Sequence, residues 1–319
     1  MKIKRLFAKD CEKYQKELTY YIYESVKNAA FEESYVAEQA YQKYQELHDY
    51  LDQEKAIVFG AFEEQRLIGF LWSYPYPFRD DKKRLYVSIL HIDSEFRNKH
   101  YGEELLKKME DVAVDLGFQA IYLHAEAQNQ GALRFYERAG YKKERIQLVK
   151  QVSSMDRKGA NTYRGGGKIQ RLKKKYVKEK QEVFARLYED NIRSHMYINY
   201  FCYNDAMAKI EEFADYLDEE KAIGYCITIR GEIAGFIWAY PYSFQLKKRL
   251  YIGAIQIFEK YRRQALATRL YEMIDKEMDI STIQSIYTHV DAENKVSLAF
   301  HYKQSFQDEI YQMVKQYLR

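Results

Sequence analysis

The segment Phe96-Arg97-Asn98-Lys99-His100-Tyr101-Gly102-Glu103 places basic side chains directly ahead of an expected helix. A helix start presents backbone N–H groups with no intrahelical acceptor, at the positive end of the helix dipole. Together these make a phosphate-binding turn. A related turn follows later in the chain as Tyr261-Arg262-Arg263-Gln264-Ala265-Leu266-Ala267-Thr268. A basic turn before a helix is common, so this feature needs a companion before it means phosphate. Between the first turn and the next helical segment stands His124, matched by His289 in the second half. Imidazole titrates near neutral pH and can take a proton from a reacting group. A histidine kept for strand packing is the plainer alternative.

The companion is Asn129-Gln130-Gly131-Ala132-Leu133-Arg134-Phe135-Tyr136-Glu137-Arg138-Ala139-Gly140-Tyr141. With the basic turn, it resembles the paired motifs of the GNAT acyltransferases: Arg/Gln-x-x-Gly-x-Gly/Ala, then Asn-x-x-Ala-x-x-Phe-Tyr-x-x-x-Gly-Phe/Tyr. The resemblance covers nearly the whole chain, twice. It implies that acyl-coenzyme A, acetyl-coenzyme A in the simplest case, is the co-substrate. By position, Arg97, Asn98, Lys99, His100, Tyr101, Gly102 and Glu103 would hold the pyrophosphate. The strand ending at Ile92 would splay from the one starting near Ile121, opening a V-shaped gap for the pantetheine arm. Asn129 matches a residue that contacts this arm, and Tyr136 matches the tyrosine that protonates the departing thiolate.

In the second copy the resemblance carries the cofactor role to Arg262, Arg263, Gln264, Ala265, Leu266, Ala267 and Asn294, with departures. His100 and Ala265 replace the first glycine of the turn, Ser297 the motif's alanine, and Ser305 its later glycine. His301 stands where the first copy has Tyr136, and Tyr302 lies one residue on, about 100° round a helix. The first copy is the better catalytic candidate. Many family members carry a glutamate or histidine base on the strand before the turn. Here those positions hold Tyr86 and Ser88, and in the second copy Tyr251 and Gly253. Tyrosine, with a pKa near 10, is a poor base at neutral pH. The proton acceptor is therefore sought among Tyr86, His124, Glu126 and a water-mediated path.

These residues are carried by a duplication. Lys2-Ile3-Lys4-Arg5-Leu6 returns as Lys168-Ile169-Gln170-Arg171-Leu172, a shift of 166, and Trp72-Ser73-Tyr74-Pro75-Tyr76 returns as Trp238-Ala239-Tyr240-Pro241-Tyr242. From Lys82 onward the shift is 165, because the second copy has lost one residue. The expected domains are 1–152 and 168–319, joined by a connector at 153–167 with three adjacent glycines. Each copy is expected to begin with a short strand and a helical region, which runs to about Leu51 in the first copy and from Val177 to Leu217 in the second. Ile57–Phe62 and Leu67–Tyr74 form an antiparallel pair by composition, and Leu85–Ile92 alternates as a third strand. The apolar spacing of Gly102–Leu116 predicts a helix capped by Gly117. A strand at Ile121, a helix over Ala132–Ala139 and a closing strand over Ile146–Val152 complete the domain. The stretch Trp72–Phe78 reads as a strand ending in a proline-limited turn that could also wall an acceptor cleft. The fold class is α/β, with a mixed, mostly antiparallel central sheet flanked by helices.

Bulk composition agrees with two soluble domains: 319 residues, 47% hydrophobic and 31% charged. A net charge of +4 does not call for nucleic acid. Cys11, Cys202 and Cys226 lack the spacing of a disulfide framework or a zinc site, so no metal is expected. No secretory leader or membrane-length apolar run is evident, and a cytoplasmic location is expected. The expected activity is transfer of an acetyl or short acyl group to a primary amine of a small molecule, mainly in the first copy. An RNA-dependent aminoacyl transferase of Fem-like type and a non-catalytic acyl-coenzyme A-binding scaffold are the alternatives.

Overall fold

The computed structural model describes residues 1–27, 33–77, 83–152, 166–193, 203–244, 247–278 and 282–317. Most of the expected connector, together with Phe78 and Cys202, lies outside the described residues. The first repeat contributes β1 (Lys2–Leu6), α1 (Ala8–Lys13), α2 (Gln15–Lys27), α3 (Glu33–Asp52), β2 (Ile57–Glu63), β3 (Arg66–Pro77), β4 (Lys83–Ile92), α4 (Tyr101–Asp115), β5 (Ala120–Glu126), α5 (Gln130–Arg138) and β6 (Lys142–Gln151). The second gives β7 (Lys168–Arg171), α6 (Lys174–Glu179), α7 (Gln181–Arg193), α8 (Tyr203–Asp218), β8 (Ile223–Ile229), β9 (Glu232–Phe244), β10 (Lys247–Ile257), α9 (Leu266–Glu277), β11 (Ser285–Asp291), α10 (Lys295–Lys303) and β12 (Gln307–Gln316). The expected α/β class and element order are what the chain adopts.

The compact units differ from the repeats at one strand. Unit 1 is Met1–Glu144 with Ile310–Arg319, and unit 2 is Arg145–Glu309. The strand expected to close the first domain instead pairs antiparallel with β11, from Ser285↔Gln151 to Asp291↔Arg145. Strand β12 in turn pairs with β5, from Ile310↔Glu126 to Gln316↔Ala120. Each exchange makes seven residue pairs, so either edge gains an equivalent ladder from the other repeat's strand. Exchanging equivalent strands between related modules costs little in hydrogen bonding. Side chains also hold each arrangement: Lys315 of β12 meets Glu110 of α4 at 2.8 Å, and Lys150 of β6 meets Asp275 of α9 at 3.1 Å.

Within unit 1 the strand order is β1-β2-β3-β4-β5-β12, antiparallel throughout except for β4 and β5. Unit 2 repeats the pattern as β7-β8-β9-β10-β11-β6. Neighbouring residues on a strand face opposite sides. Trp72 accordingly enters the core formed with Tyr21, Ile22, Tyr44 and Leu47 of α2 and α3, while Ser73 meets Met109 of α4 at 3.1 Å. Helices therefore cover both faces. Strand β3 does not stop at the expected turn but continues through Pro75 and Pro77 against β4. Its pairing with β2 ends at Ile57↔Ser73, so both prolines lie where one edge has lost its neighbour. A missing N–H is tolerated at such an edge. Cys11 and Cys226 are buried, and burial pushes their thiols up to about 12 and about 11, in keeping with packing roles.

The parallel ladder between β4 and β5 is only four pairs long, from Arg84↔Ala120 to Val87↔Leu123. It ends where β4 bulges: Ile89 pairs with Trp72 and Val87 with Ser73, leaving Ser88 as the extra residue. A bulge bends its strand and increases the local twist, so β4 and β5 part as the sequence analysis expects. In unit 2 the ladder ends at Tyr251↔Tyr287, and Gly253 is the extra residue. At the closed end of unit 1, buried Arg84 donates to both carboxylate oxygens of buried Glu144, at 2.9 and 3.1 Å, and Gln312 of β12 donates to the same carboxylate at 2.6 Å.

Removing one partner from a buried ion pair leaves an uncompensated charge, at a cost of about 3–5 kcal/mol. Glu144→Ala should lower stability by that order in urea unfolding, and adding Arg84→Met should restore most of the loss.

Candidate active site

In unit 1 a short 3₁₀ turn, Ser94–Phe96, follows β4 and leads to the N-terminus of α4. Asn98 and His100 both adopt positive φ, 60° and 62°. His100 is in the left-handed region immediately before the helix, where the resembling motif has glycine. The backbone has kept glycine's conformation although the residue has changed, a strain of about 1–2 kcal/mol. The Arg97 Nε donates to the carbonyl of Ile92 at 3.0 Å, tying the turn to the end of β4. The first helical bond of α4 is from the Glu104 amide to the His100 carbonyl, 3.0 Å, so the amides of Tyr101, Gly102 and Glu103 lie before the ladder begins. Arg97, Asn98, Lys99 and His100 are exposed around them. His100 Nδ1 lies 2.7 Å from Glu103, which also faces Arg138 of α5 at 3.8 Å. The arrangement suits an anion at the turn.

Unit 2 has the same backbone with different side chains. Arg263 and Ala265 take φ of 61° and 55°, and Arg262 Nε donates to the Ile257 carbonyl at 3.0 Å. Leu266 is buried, whereas its counterpart Tyr101 is half-buried. Gln264 is exposed and Ala267 half-buried beside it.

Asn129 caps α5, its Oδ1 accepting from the Ala132 amide at 3.0 Å, and Asn294 caps α10 through the Ser297 amide at 3.0 Å. One lone pair of each oxygen is thereby engaged by the helix. The other lone pair and the amide nitrogen are left for contact with a cofactor arm.

Of the three candidate proton-handling residues of unit 1, Tyr86 and His124 are in contact. Tyr86 is on the last part of the β4–β5 ladder, opposite Tyr122, and its hydroxyl is 3.3 Å from His124 Nδ1. Tyr86 is half-buried and His124 exposed. Burial, then the negative charge of Glu46 and the neighbouring Tyr76, push the Tyr86 hydroxyl up to about 12. That direction removes it as a base on its own and leaves it as a hydrogen-bonding neighbour of His124. Tyr136, buried on α5, packs edge-on to Tyr141 at 5.8 Å. Burial and Tyr86 push its hydroxyl well above the ordinary tyrosine range, so it stays protonated. The Oγ of Ser88, the bulge residue, is buried with no hydrogen-bond partner among the described residues.

The corresponding position of unit 2 has different chemistry. His301 is buried among Tyr271 and Phe306, with Nδ1 2.8 Å from the Ser297 carbonyl. A carbonyl can only accept, which assigns the ring proton to Nδ1 and leaves Nε2, buried and without a partner among the described residues, as an acceptor. Burial lowers its pKa to about 4, outweighing the Ser297 carbonyl, so the ring is neutral at pH 7. Tyr302 points elsewhere, exposed and bonded to Asp308 at 2.7 Å. His289 bonds through Nε2 to Gln147 at 3.0 Å.

Sequence reasoning missed an aromatic wall beside Tyr86. Ring centroids of Tyr74 and Tyr122 lie 5.3 and 4.9 Å from Tyr86, and Tyr76 lies 5.9 Å from Tyr122. The negative charge of Glu46 on α3 adds to the upward shift of the Tyr74 and Tyr86 hydroxyls. A signal was present, since Tyr86 and Tyr122 recur as Tyr251 and Tyr287 at the repeat shift.

A model of the acetyltransferase (GNAT) family matches residues 20–141 and 184–306. The chain is 32% identical over 83 residues to N-alpha-acetyltransferase 30 of Schizosaccharomyces pombe, 26% of this chain and 55% of that protein. It is 24% identical over 89 residues to the uncharacterized N-acetyltransferase YycN of Bacillus subtilis, 28% of this chain and 56% of that protein. The chain thus spans about half the length of these curated relatives. Among solved structures, a tandem GNAT protein from the clavulanic acid biosynthesis pathway aligns over 99% of this chain and 98% of its own, with TM-score 0.52 and 12% identity. At that identity the likeness concerns the fold.

Left-handed backbone at a non-glycine turn residue gives a direct test. His100→Gly should raise the unfolding free energy by up to about 1 kcal/mol, whereas β-branched His100→Val should lower it by about 1–2 kcal/mol. Urea midpoints of the two variants check both signs.

Proposed function

For a chain that belongs to the GNAT acetyltransferase family, we propose N-acyl transfer from acyl-coenzyme A to a primary amine of a small molecule, with the chemistry in unit 1. The observation that carries this reading is the contrast between Tyr136 and His301. Tyr136 offers a buried hydroxyl that stays protonated near Tyr86, whereas His301 has its only ring proton engaged with a carbonyl. Only the first can deliver a proton to a leaving group.

The residues of unit 1 suit the co-substrate. The amides of Tyr101, Gly102 and Glu103, with Arg97 and Lys99 nearby, would hold the pyrophosphate, and the parted strands expose backbone groups for the pantetheine arm. The co-substrate supplies an acyl group activated as a thioester. His124 takes the proton that the amine nitrogen loses as it bonds to the thioester carbonyl carbon. Tyr86 orients that imidazole through the 3.3 Å contact. As the carbon–sulfur bond breaks, Tyr136 gives its proton to the sulfur, and the products are an amide and a free thiol. Unit 2 keeps the left-handed turn at Arg263 and Ala265 without the proton donor, so its part in this reading is to bind or to support.

A positioned general acid contributes about 10²–10⁴ in rate. Tyr136→Phe should lower kcat by that range in an acetyl-coenzyme A thiol-release assay, while acetyl-coenzyme A affinity by calorimetry stays within about threefold. His301→Phe should leave turnover near the parent value. Equal losses in the two variants would overturn the division of labour.

A further inference from the structure

The exchanged strands deliver a glutamine opposite each strand histidine. In unit 2 Gln147 of β6 is the ladder partner of His289. Its side-chain oxygen lies 3.0 Å from His289 Nε2, and its side-chain nitrogen donates to the Glu309 carboxylate at 2.6 Å. Buried Arg249 binds the same carboxylate at 2.7 Å. A carboxylate can only accept, so the amide NH2 has to face Glu309 and the amide oxygen has to face the histidine. That oxygen is an acceptor as well. The hydrogen between the two side chains therefore belongs to His289 Nε2, and a neutral ring then keeps its lone pair on Nδ1.

Unit 1 repeats every member of this chain at the repeat shift. Gln312 of β12 is the ladder partner of His124. Partners directly opposite on antiparallel strands share a face, with Cβ atoms about 4.5–5.5 Å apart. The Gln312 nitrogen donates to Glu144 at 2.6 Å, and Glu144 is bound by Arg84 at 2.9 Å. The histidine rings also stand alike. His124 lies 5.5 Å from Tyr86 at 59° and 6.0 Å from Tyr122 at 86°. His289 lies 5.7 Å from Tyr251 at 59° and 6.0 Å from Tyr287 at 84°. Since His124 Nδ1 is the nitrogen 3.3 Å from the Tyr86 hydroxyl, Nε2 is the one left for the glutamine, as in unit 2.

We infer that Gln312 is the positioning residue for His124. Its side-chain oxygen accepts from Nε2–H and so holds the imidazole in the tautomer whose lone pair, on Nδ1, takes the proton of the acceptor amine. The inference rests on the reading of unit 1 as the site of N-acyl transfer. When Nδ1 takes that proton the ring becomes an imidazolium, Nε2 keeps its hydrogen, and the bond to the amide oxygen strengthens because its donor is now charged. Arg84 and Glu144 keep the amide from turning over. A reversed amide would set its oxygen against a carboxylate and offer N–H to Nε2, moving the ring hydrogen to Nδ1 and removing the base.

The two strands divide these roles between the repeats. Strand β6 keeps Glu144 in unit 1 and gives Gln147 to unit 2, while β12 keeps Glu309 in unit 2 and gives Gln312 to unit 1. Each histidine is thus oriented by a side chain of the opposite repeat.

Nuclear magnetic resonance of the full chain with isotope-labelled histidine reads the tautomer, the His124 signals being those lost in His124→Gln. The expected parent spectrum has a His124 proton on Nε2 that exchanges slowly with water, and a bare Nδ1. Gln312→Met, which nearly keeps the volume and removes the amide, should release that proton to fast exchange. The same variant should lower kcat about tenfold to a hundredfold in thiol release from acetyl-coenzyme A with butylamine, while KM for acetyl-coenzyme A stays within about threefold. Gln147→Met should free the His289 proton and leave turnover near the parent value. A parent proton on Nδ1 of His124, fast exchange at its Nε2, or His124 signals and kcat that Gln312→Met leaves unchanged would overturn the inference and restrict Gln312 to holding Glu144. If Gln312→Met does not fold, the parent spectrum decides. A parent that shows the bonded Nε2 proton and releases no thiol keeps Gln312 as the holder of His124 and counts against the acyl-transfer reading alone.

Discussion

A parallel ladder of four residue pairs governs this molecule. Because β4 and β5 stay together only from Arg84↔Ala120 to Val87↔Leu123, their remaining backbone N–H and C=O groups need other partners. The bulge at Ser88 bends β4 away at that point, and the turn that follows is aimed by the direction in which β4 leaves. Tyr86 and Tyr122 face each other at the fork, which puts the aromatic wall and His124 beside the opening between the strands. The closed end is fixed as firmly by Arg84, Glu144 and Gln312. A longer ladder would close the opening, and a shorter one would release the strand that holds His124.

The exchange of β6 and β12 brings foreign side chains to otherwise similar walls. Each unit receives from the other repeat a lysine for a helix carboxylate, Lys315 for Glu110 and Lys150 for Asp275. Each also receives a glutamine near its histidine-bearing strand. The two deliveries differ at three places, and one of them changes the charge, Ile310 in unit 1 and Arg145 in unit 2. A duplication that exchanges its last strands can therefore change a site by mutating the opposite repeat.

The units share a backbone and differ in what they can do with a proton. Both turns hold two non-glycine residues at positive φ, both arginines bond the carbonyl that ends the strand, and both asparagines cap a helix. Hydrogen bonding at the capped helix then separates them. A buried tyrosine keeps its proton because ionisation in an apolar setting is costly, while a buried histidine stays neutral for the same reason. One burial effect therefore leaves a proton donor in unit 1 and an acceptor in unit 2.

The sequence by itself determined the duplication, the α/β class, the element order and the positions of the basic turns, because apolar period, turn residues and repeat shifts are local properties. It also singled out Tyr86, His124 and Tyr136, of which the first two are in contact. It misjudged the end of β3, where Pro75 and Pro77 continue a strand because β2 has already stopped, a fact about a neighbour and not about proline. The destination of β6 and β12 was decided only in three dimensions, since the two edges compete for two related strands that form ladders of equal length. Tertiary structure alone also gathered Tyr74, Tyr76 and Tyr122 around Tyr86, from three strands, and set the direction in which the hydroxyls of Tyr74, Tyr86 and Tyr122 titrate. Desolvation depends on what surrounds a group in space, and no spacing along the chain records it.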